Sequence, residues 1–175
     1  MDKKSEFEAA LQEFVTTLQV YISSENGQWT IKGFVDIYKN VYTISSDTKI
    51  ISKILEIHIF PKLLELSEKH GYKIVLADHQ NYYPDISFVD NEDDTLRFAV
   101  DFKTTYRLPG KPHLCNGFTL GSHGKYFEDR TSTKNIQFPY GSYSGHYCLG
   151  IIYDRVDARD IDETRIFDLD SLTSI

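Results

Sequence analysis

The chain has 175 residues, 41% hydrophobic and 26% charged, enough to bury one core and ordinary for a globular domain; a disordered tail, a collagen-like repeat and a coiled-coil rod are excluded. Lys and Arg number 19 against 26 Asp and Glu, a formal charge of −7, which by itself argues against a nucleic-acid partner, because phosphates are met by Lys and Arg. No apolar run is long enough to span a membrane, Met1 to Glu6 leads into no signal-like stretch, and Cys115 and Cys148 make no disulfide framework, so a reduced, cytoplasmic protein is expected.

Residues 5–20 predict an amphipathic helix, with Phe7, Ala10, Leu11, Phe14, Val15 and Leu18 on one face and Ser5 with Glu8 as a capping box. Residues 21–44 are β-like, from Tyr21 and Ile22 through Trp29, Ile31, Val35 and Ile37 to Tyr42. Asn26-Gly27 marks a tight turn, and two or three short strands are expected. Residues 47–70 predict a second helix, capped by Ser46 or Asp47 and ended by Gly71, with a kink or break at Pro61. Strands are expected at 73–76, 85–89, 96–104 and 147–156, with a last one at 165–169. Residues 107–117 read as a Pro/Gly loop and 118–145 as irregular. No linker or repeat divides the chain, so 1–175 is expected to be a single domain of the α/β class, with a mixed sheet flanked by helices.

The strand at 96–104 carries the chemistry. Leu96, Phe98, Val100 and Phe102 alternate with Arg97, Ala99, Asp101 and Lys103, so one face is core and the other ends in Asp101 and Lys103. Asp85, straight after Pro84, opens the preceding strand. If the two strands pair as a hairpin, Asp85 lies near Asp101. Two close carboxylates repel, and a hard divalent cation relieves them. Mg²⁺ takes one or two carboxylates, keeps waters and binds phosphate. A neighbouring Lys stabilises charge developing on that phosphate. Metal-assisted phosphodiester hydrolysis uses this set of groups. A Pro-Asp turn, or an Asp-x-Lys on a strand, is by itself more often a solvated surface feature.

Pro84-Asp85 followed by Asp101-Phe102-Lys103 has the form of the PD-(D/E)XK nuclease motif. The strings Ser46-Asp47-Thr48-Lys49, Glu68-Lys69-His70-Gly71-Tyr72, Gln80-Asn81-Tyr82-Tyr83-Pro84-Asp85 and Asp101-Phe102-Lys103-Thr104-Thr105-Tyr106 resemble the EcoRV-like type II restriction endonucleases. So do Phe118-Thr119-Leu120-Gly121 and Thr133-Lys134-Asn135-Ile136. The resemblance implies a restriction-endonuclease fold and Mg²⁺-dependent cleavage of double-stranded DNA at a palindromic site, with Mn²⁺ as a substitute metal.

It implies Asp85 and Asp101 as metal ligands with the Phe102 backbone carbonyl, Lys103 as the catalytic lysine, and Glu56 as an additional catalytic or metal-binding acid. Gln80, Asn81 and Tyr82 match a loop that approaches the DNA, with His79 standing where the family has glutamine. Lys49, Thr104, Thr105 and Lys134 match positions near the DNA. A homodimer is implied, with 21–44 as its contact region, in a prokaryotic-type cytoplasm. The family's C-terminal part, which holds the major-groove recognition loop, is not matched. The alternatives are a repair or nicking nuclease of the same fold, or an inactive remnant with a binding or structural role.

Three other patterns carry less. His113-x-Cys115 and His146-x-Cys148 lack the tight turn-based spacing of a structural zinc site. Gly121 to Lys125 lacks the first glycine and the final Ser or Thr of a phosphate loop. Tyr140, Tyr143, Tyr147 and Tyr153 read as packing residues. The acidic excess falls partly in Glu56, Asp85 and Asp101 and partly in 90–94 and 154–170. DNA binding without a divalent metal should therefore be weak and easily lost in salt.

Overall fold

A computed structural model describes residues 2–25, 27–31, 33–44, 47–118, 121–155 and 167–168. Helix α1 (Lys3–Ile22) starts earlier than its apolar periodicity predicts, because Asp2 is the N-cap and accepts the Ser5 N–H at 2.8 Å. Ser5 and Glu8 lie inside the helix, so the expected capping box is not its start. Phe7, Ala10, Phe14 and Leu18 form the buried stripe. Tyr21 and Ile22 continue it at helical spacing and pack against the core, so they end the helix instead of opening a strand.

The Gly27 turn forms, with φ +76°, but a single Ser23–Trp29 bridge flanks it. Strands β1 (Gly33–Val35) and β2 (Asn40–Thr43) pair antiparallel with Phe34 opposite Tyr42. Asp36 closes their turn by accepting from the Tyr38 and Asn40 N–H groups at 2.8 and 2.9 Å and from the Tyr42 hydroxyl at 2.9 Å. Strand β8 (Phe167–Asp168) joins β2; the rest of the strand expected at 165–169 lies outside the described residues.

Helix α2 (Thr48–His70) has Asp47 as its N-cap and ends on Gly71 in the left-handed conformation, φ +74°. Ser46 lies outside the described residues. The helix is continuous through Pro61, so of the expected kink or break the break does not occur. Pro61 and Ile57 are exposed, so the carbonyl that Pro61 cannot serve lies on the solvent side.

The main sheet has the order β3 (Tyr72–Leu76), β4 (Ile86–Asp90), β5 (Arg97–Leu108) and β6 (Lys111–Cys115), with β7 (Gly145–Tyr153) parallel to β5 and all other pairs antiparallel. The fold is therefore α/β with a mixed five-stranded sheet. Where a loop was expected at 107–117, β5 runs on to Leu108, turns at Gly110 (φ +69°) and returns as β6. The Pro109-Gly110 pair is the tip of a hairpin, a geometry suited to a residue with no Cβ.

Both helices cover one face. Phe7, Ile59, Leu63, Phe88, Phe98 and Val100 form the centre of the core there, with Phe7 stacked on Phe98 at 4.2 Å between ring centroids. The other face is covered by the irregular 121–144 stretch, whose Tyr126, Ile136, Tyr140 and Tyr143 pack against Ala99 of β5. A third cluster joins Ile51 and Leu55 of α2 to Tyr153 of β7, with Trp29 and Tyr106 against it. Among the described residues no helix is long and apolar enough to cross a membrane.

Candidate active site

The ladder between β4 and β5 ends at the pair Ile86–Val100. One step further in the same register, Asp85 stands opposite Asp101. On the other side of β5 the pairing with β7 continues to Tyr106. The Phe102 N–H is taken not by a β4 carbonyl but by Asp85 Oδ2, at 2.7 Å. The end of one ladder thus becomes the place where a carboxylate docks on backbone.

Asp101 and Lys103 lie two apart on β5 and share a face. The Lys103 ammonium donates to Asp101 Oδ2 and, at 3.2 Å, to the Phe102 carbonyl. Glu56, on α2, accepts from the Lys53 ammonium and from the Ser52 hydroxyl at 3.4 Å. Glu56 and Asp85 line one cleft of about 370 Å³ with Lys53, His79, Gln80 and Tyr82, while Ile57, Phe60, Leu76, Ile86 and Phe102 make its apolar wall.

Burial pushes the Asp85 carboxyl up to about 6. The Phe102 N–H works against this, the negative charges of Asp101 and Glu56 add to it, and Lys103 opposes it. Asp85, Asp101, Glu56 and Lys103 are therefore one electrostatic unit, drawn from two strands and a helix. Cys148 belongs beside it: on β7 it is the register partner of Asp101, and burial followed by the Asp101 charge raises its thiol.

Among the described residues, no three His, Cys, Asp or Glu side chains are gathered as a ready-made metal site. The groups that do converge are oxygen donors: two carboxylates and the Phe102 carbonyl. That set suits a hard cation which keeps its waters, and the strained ionisation of Asp85 is what such a cation relieves.

The remaining predicted positions lie on several elements. Gln80 and Asn81 are exposed and Tyr82 is half-buried, on the loop between β3 and β4. Lys49 is exposed in the first turn of α2, and Lys134 is exposed on the segment facing that loop. Thr104 is half-buried and alternates away from Lys103. Thr105 is buried and its hydroxyl donates to the Asn116 carbonyl at 2.6 Å, tying β5 to the chain after β6.

Several supporting residues escape a motif-based reading. Lys53 pairs with Glu56, and only its helical i−3 spacing hints at this. Tyr83, next to Pro84-Asp85, bonds His146 Nδ1 at 2.9 Å, while His146 Nε2 meets the Tyr140 carbonyl at 3.1 Å. A carbonyl only accepts, so Nε2 carries the proton and Tyr83 donates to Nδ1. No local pattern signals this pair, since 63 residues separate its members.

The family model described as restriction endonuclease EcoRV matches residues 25–175. The type II restriction enzyme EcoRV of Escherichia coli is 34% identical over 135 residues, which cover 77% of this chain and 54% of that enzyme. The chain thus spans about half the length of the curated relative it matches.

Proposed function

Because the chain belongs to the EcoRV restriction endonuclease family, a family of metal-dependent nucleases, we propose that it hydrolyses phosphodiester bonds of double-stranded DNA at a specific palindromic site with Mg²⁺. The observation that carries this reading is the Asp85–Asp101 pair at the open end of the β4–β5 ladder, with Lys103 bonded to Asp101. Asp85, Asp101 and the Phe102 carbonyl would hold the ion. Bound there, Mg²⁺ or Mn²⁺ supplies a Lewis acid to the phosphate and lowers the pKa of a coordinated water.

The chain's own groups do the rest. With a cation held by Asp101, Lys103 would be free to face the scissile phosphate and stabilise its developing charge. The Phe102 N–H keeps Asp85 aimed at the same point. Glu56, held by Lys53 at the mouth of the cleft, orients α2 or supplies a further carboxylate. Gln80, Asn81, Tyr82, Lys49, Thr104 and Lys134 are the proposed DNA contacts, supported by the exposure of Gln80, Asn81, Lys49 and Lys134, with Thr105 tying β5 to the chain after β6. A homodimer matches the two-fold symmetry of a palindrome. The exposed apolar side chains Phe34, Val35, Ile37, Tyr38 and Tyr42 on the β1–β2 hairpin support that region as its contact.

A second reading is a non-catalytic remnant that retains only a binding or structural role. A plasmid cleavage assay with Mg²⁺ against EDTA separates the two. Discrete Mg²⁺-dependent bands, lost in Asp101→Ala while DNA binding persists, support the nuclease. Cleavage that survives Asp101→Ala would sink the site assignment, and no cleavage under any divalent metal would favour the remnant.

A further inference from the structure

The loop that carries Gln80, Asn81 and Tyr82 hangs between two fixed points, and both lie on the same distant segment. At its start, the Asp78 N–H donates to Gln137 Oε1 at 2.9 Å, and Gln137 Nε2 donates back to Asp78 Oδ2 at 3.2 Å. At its end, the Tyr83 N–H donates to the Asn135 carbonyl and the Gln137 N–H donates to the Tyr83 carbonyl, both at 2.9 Å, as a parallel bridge around Ile136. Ile136 is buried, and the Tyr126 hydroxyl donates to the carbonyls of both Lys134 and Asn135. The anchoring segment is therefore itself fixed to the sheet.

From this geometry we infer that Gln137 is a positioning residue for DNA cleavage: it locks the 79–82 loop to the segment that presents Lys134, so that loop and lysine meet DNA as one rigid unit. The inference rests on the DNA-cleavage reading. The bidentate amide explains why a side chain is needed at the Asp78 end. The Tyr83 end is held by backbone, two residues from Asp85, and tolerates sequence change. The β3–β4 ladder stops at Leu76, and beyond it Asp78 takes its hydrogen bonds, among the described residues, from Gln137. Without Gln137 the loop keeps its bridge at Tyr83 and swings about it, so DNA binding suffers while the Asp85–Asp101 geometry persists.

The test exchanges donor and acceptor. Gln137→Glu places a carboxylate against the Asp78 carboxylate and breaks the clamp. Adding Asp78→Asn restores a donor opposite the new acceptor. For Mg²⁺-dependent cleavage, Gln137→Glu should raise KM by about tenfold, the worth of one or two exposed hydrogen bonds, with kcat changed less than about twofold. The Gln137→Glu/Asp78→Asn double variant should recover most of the loss. In the metal-free and DNA-free protein, hydrogen exchange of the 79–82 amides should quicken in Gln137→Glu and slow again in the double variant. An unchanged KM and unchanged exchange in Gln137→Glu, or a double variant no better than the single, overturns the clamp. If the unaltered chain cleaves nothing, the nuclease reading fails, and the exchange data still decide whether Gln137 holds the loop.

Discussion

Asp85 Oδ2 accepts the Phe102 N–H at 2.7 Å, so the carboxylate of one strand is seated on the backbone of the next, beside Asp101. A carboxylate placed this way is aimed without help from any other side chain. It is also half-starved of solvent, and its ionisation is opposed by burial and by two like charges.

That opposition sets the first prediction. The Asp85 carboxyl is pushed up to about 6, above the ordinary value near 4 that it has unfolded. Between these values the native state binds more protons than the unfolded one, so metal-free stability falls as pH rises through the window. Above pH 6 the full penalty is present. Asp85→Asn, which can still accept the Phe102 N–H, should abolish cleavage yet stabilise the metal-free protein at pH 8 by on the order of 1–3 kcal/mol. Thermal unfolding at pH 8 and at pH 4.5 checks it: the gain should shrink toward zero at the lower pH.

Lys103 sets the second. Its ammonium occupies Asp101 in this structure and would compete with a cation for the same oxygen. Lys103→Ala should slow cleavage by roughly 10²–10³-fold and tighten Mg²⁺ binding in the absence of DNA. Single-turnover cleavage and a calorimetric Mg²⁺ titration measure the two effects. Weaker Mg²⁺ binding in the variant would mean that Lys103 orders the site and does not compete for it.

Asp90 reports on the fold far from the site. Burial alone would raise its carboxyl, but the Glu92 and Asp93 N–H groups and the Lys3 ammonium outweigh burial and hold it below its ordinary value. A depressed carboxylate contributes stability that is present above its unfolded value and lost as pH falls through its folded one. Unfolding free energy should therefore drop below about pH 4. Asp90→Ala should remove this pH dependence and cost about 1–3 kcal/mol at pH 7, because two N–H groups lose their acceptor. Chemical denaturation at pH 3 and pH 7 compares the two proteins.

The β1–β2 hairpin carries the dimer proposal. Ile37 is 88% exposed and Tyr38 79%, which costs solvation in a monomer and suits a second copy. Ile37→Asp should shift sedimentation from dimer to monomer while leaving the circular dichroism spectrum unchanged. A variant that sediments like the parent would remove the hairpin from the interface.

Much of this molecule is legible locally. The Asp47 and Gly71 ends of α2 and the alternation of Phe98, Val100 and Phe102 are short-range patterns that form as read, and the α1 stripe forms at Phe7, Ala10, Phe14 and Leu18 while Val15, expected on it, is 47% exposed. The motif pair Asp85 and Asp101 was also legible, since a hairpin of two apolar strands brings such residues together. What failed locally did so for physical reasons. Tyr21 and Ile22 suit a strand by residue type, but they extend a helical stripe that already had a core to face. Proline removes one hydrogen bond from a helix, and here Pro61 and the Ile57 residue it cannot serve are on the exposed side, so the helix continues.

Chain chemistry alone therefore decides where helices are capped, which strand face is core and which carboxylates can share an edge. Those choices depend on neighbours a few residues away. Tertiary structure decides the rest: that the β4–β5 ladder begins one residue after Asp85, that Glu56 on α2 faces the same cleft, and that Gln137 reaches back 59 residues to Asp78. These are outcomes of packing two helices and an irregular strap against opposite faces of one sheet. No periodicity encodes them, because the partners meet only once the sheet exists.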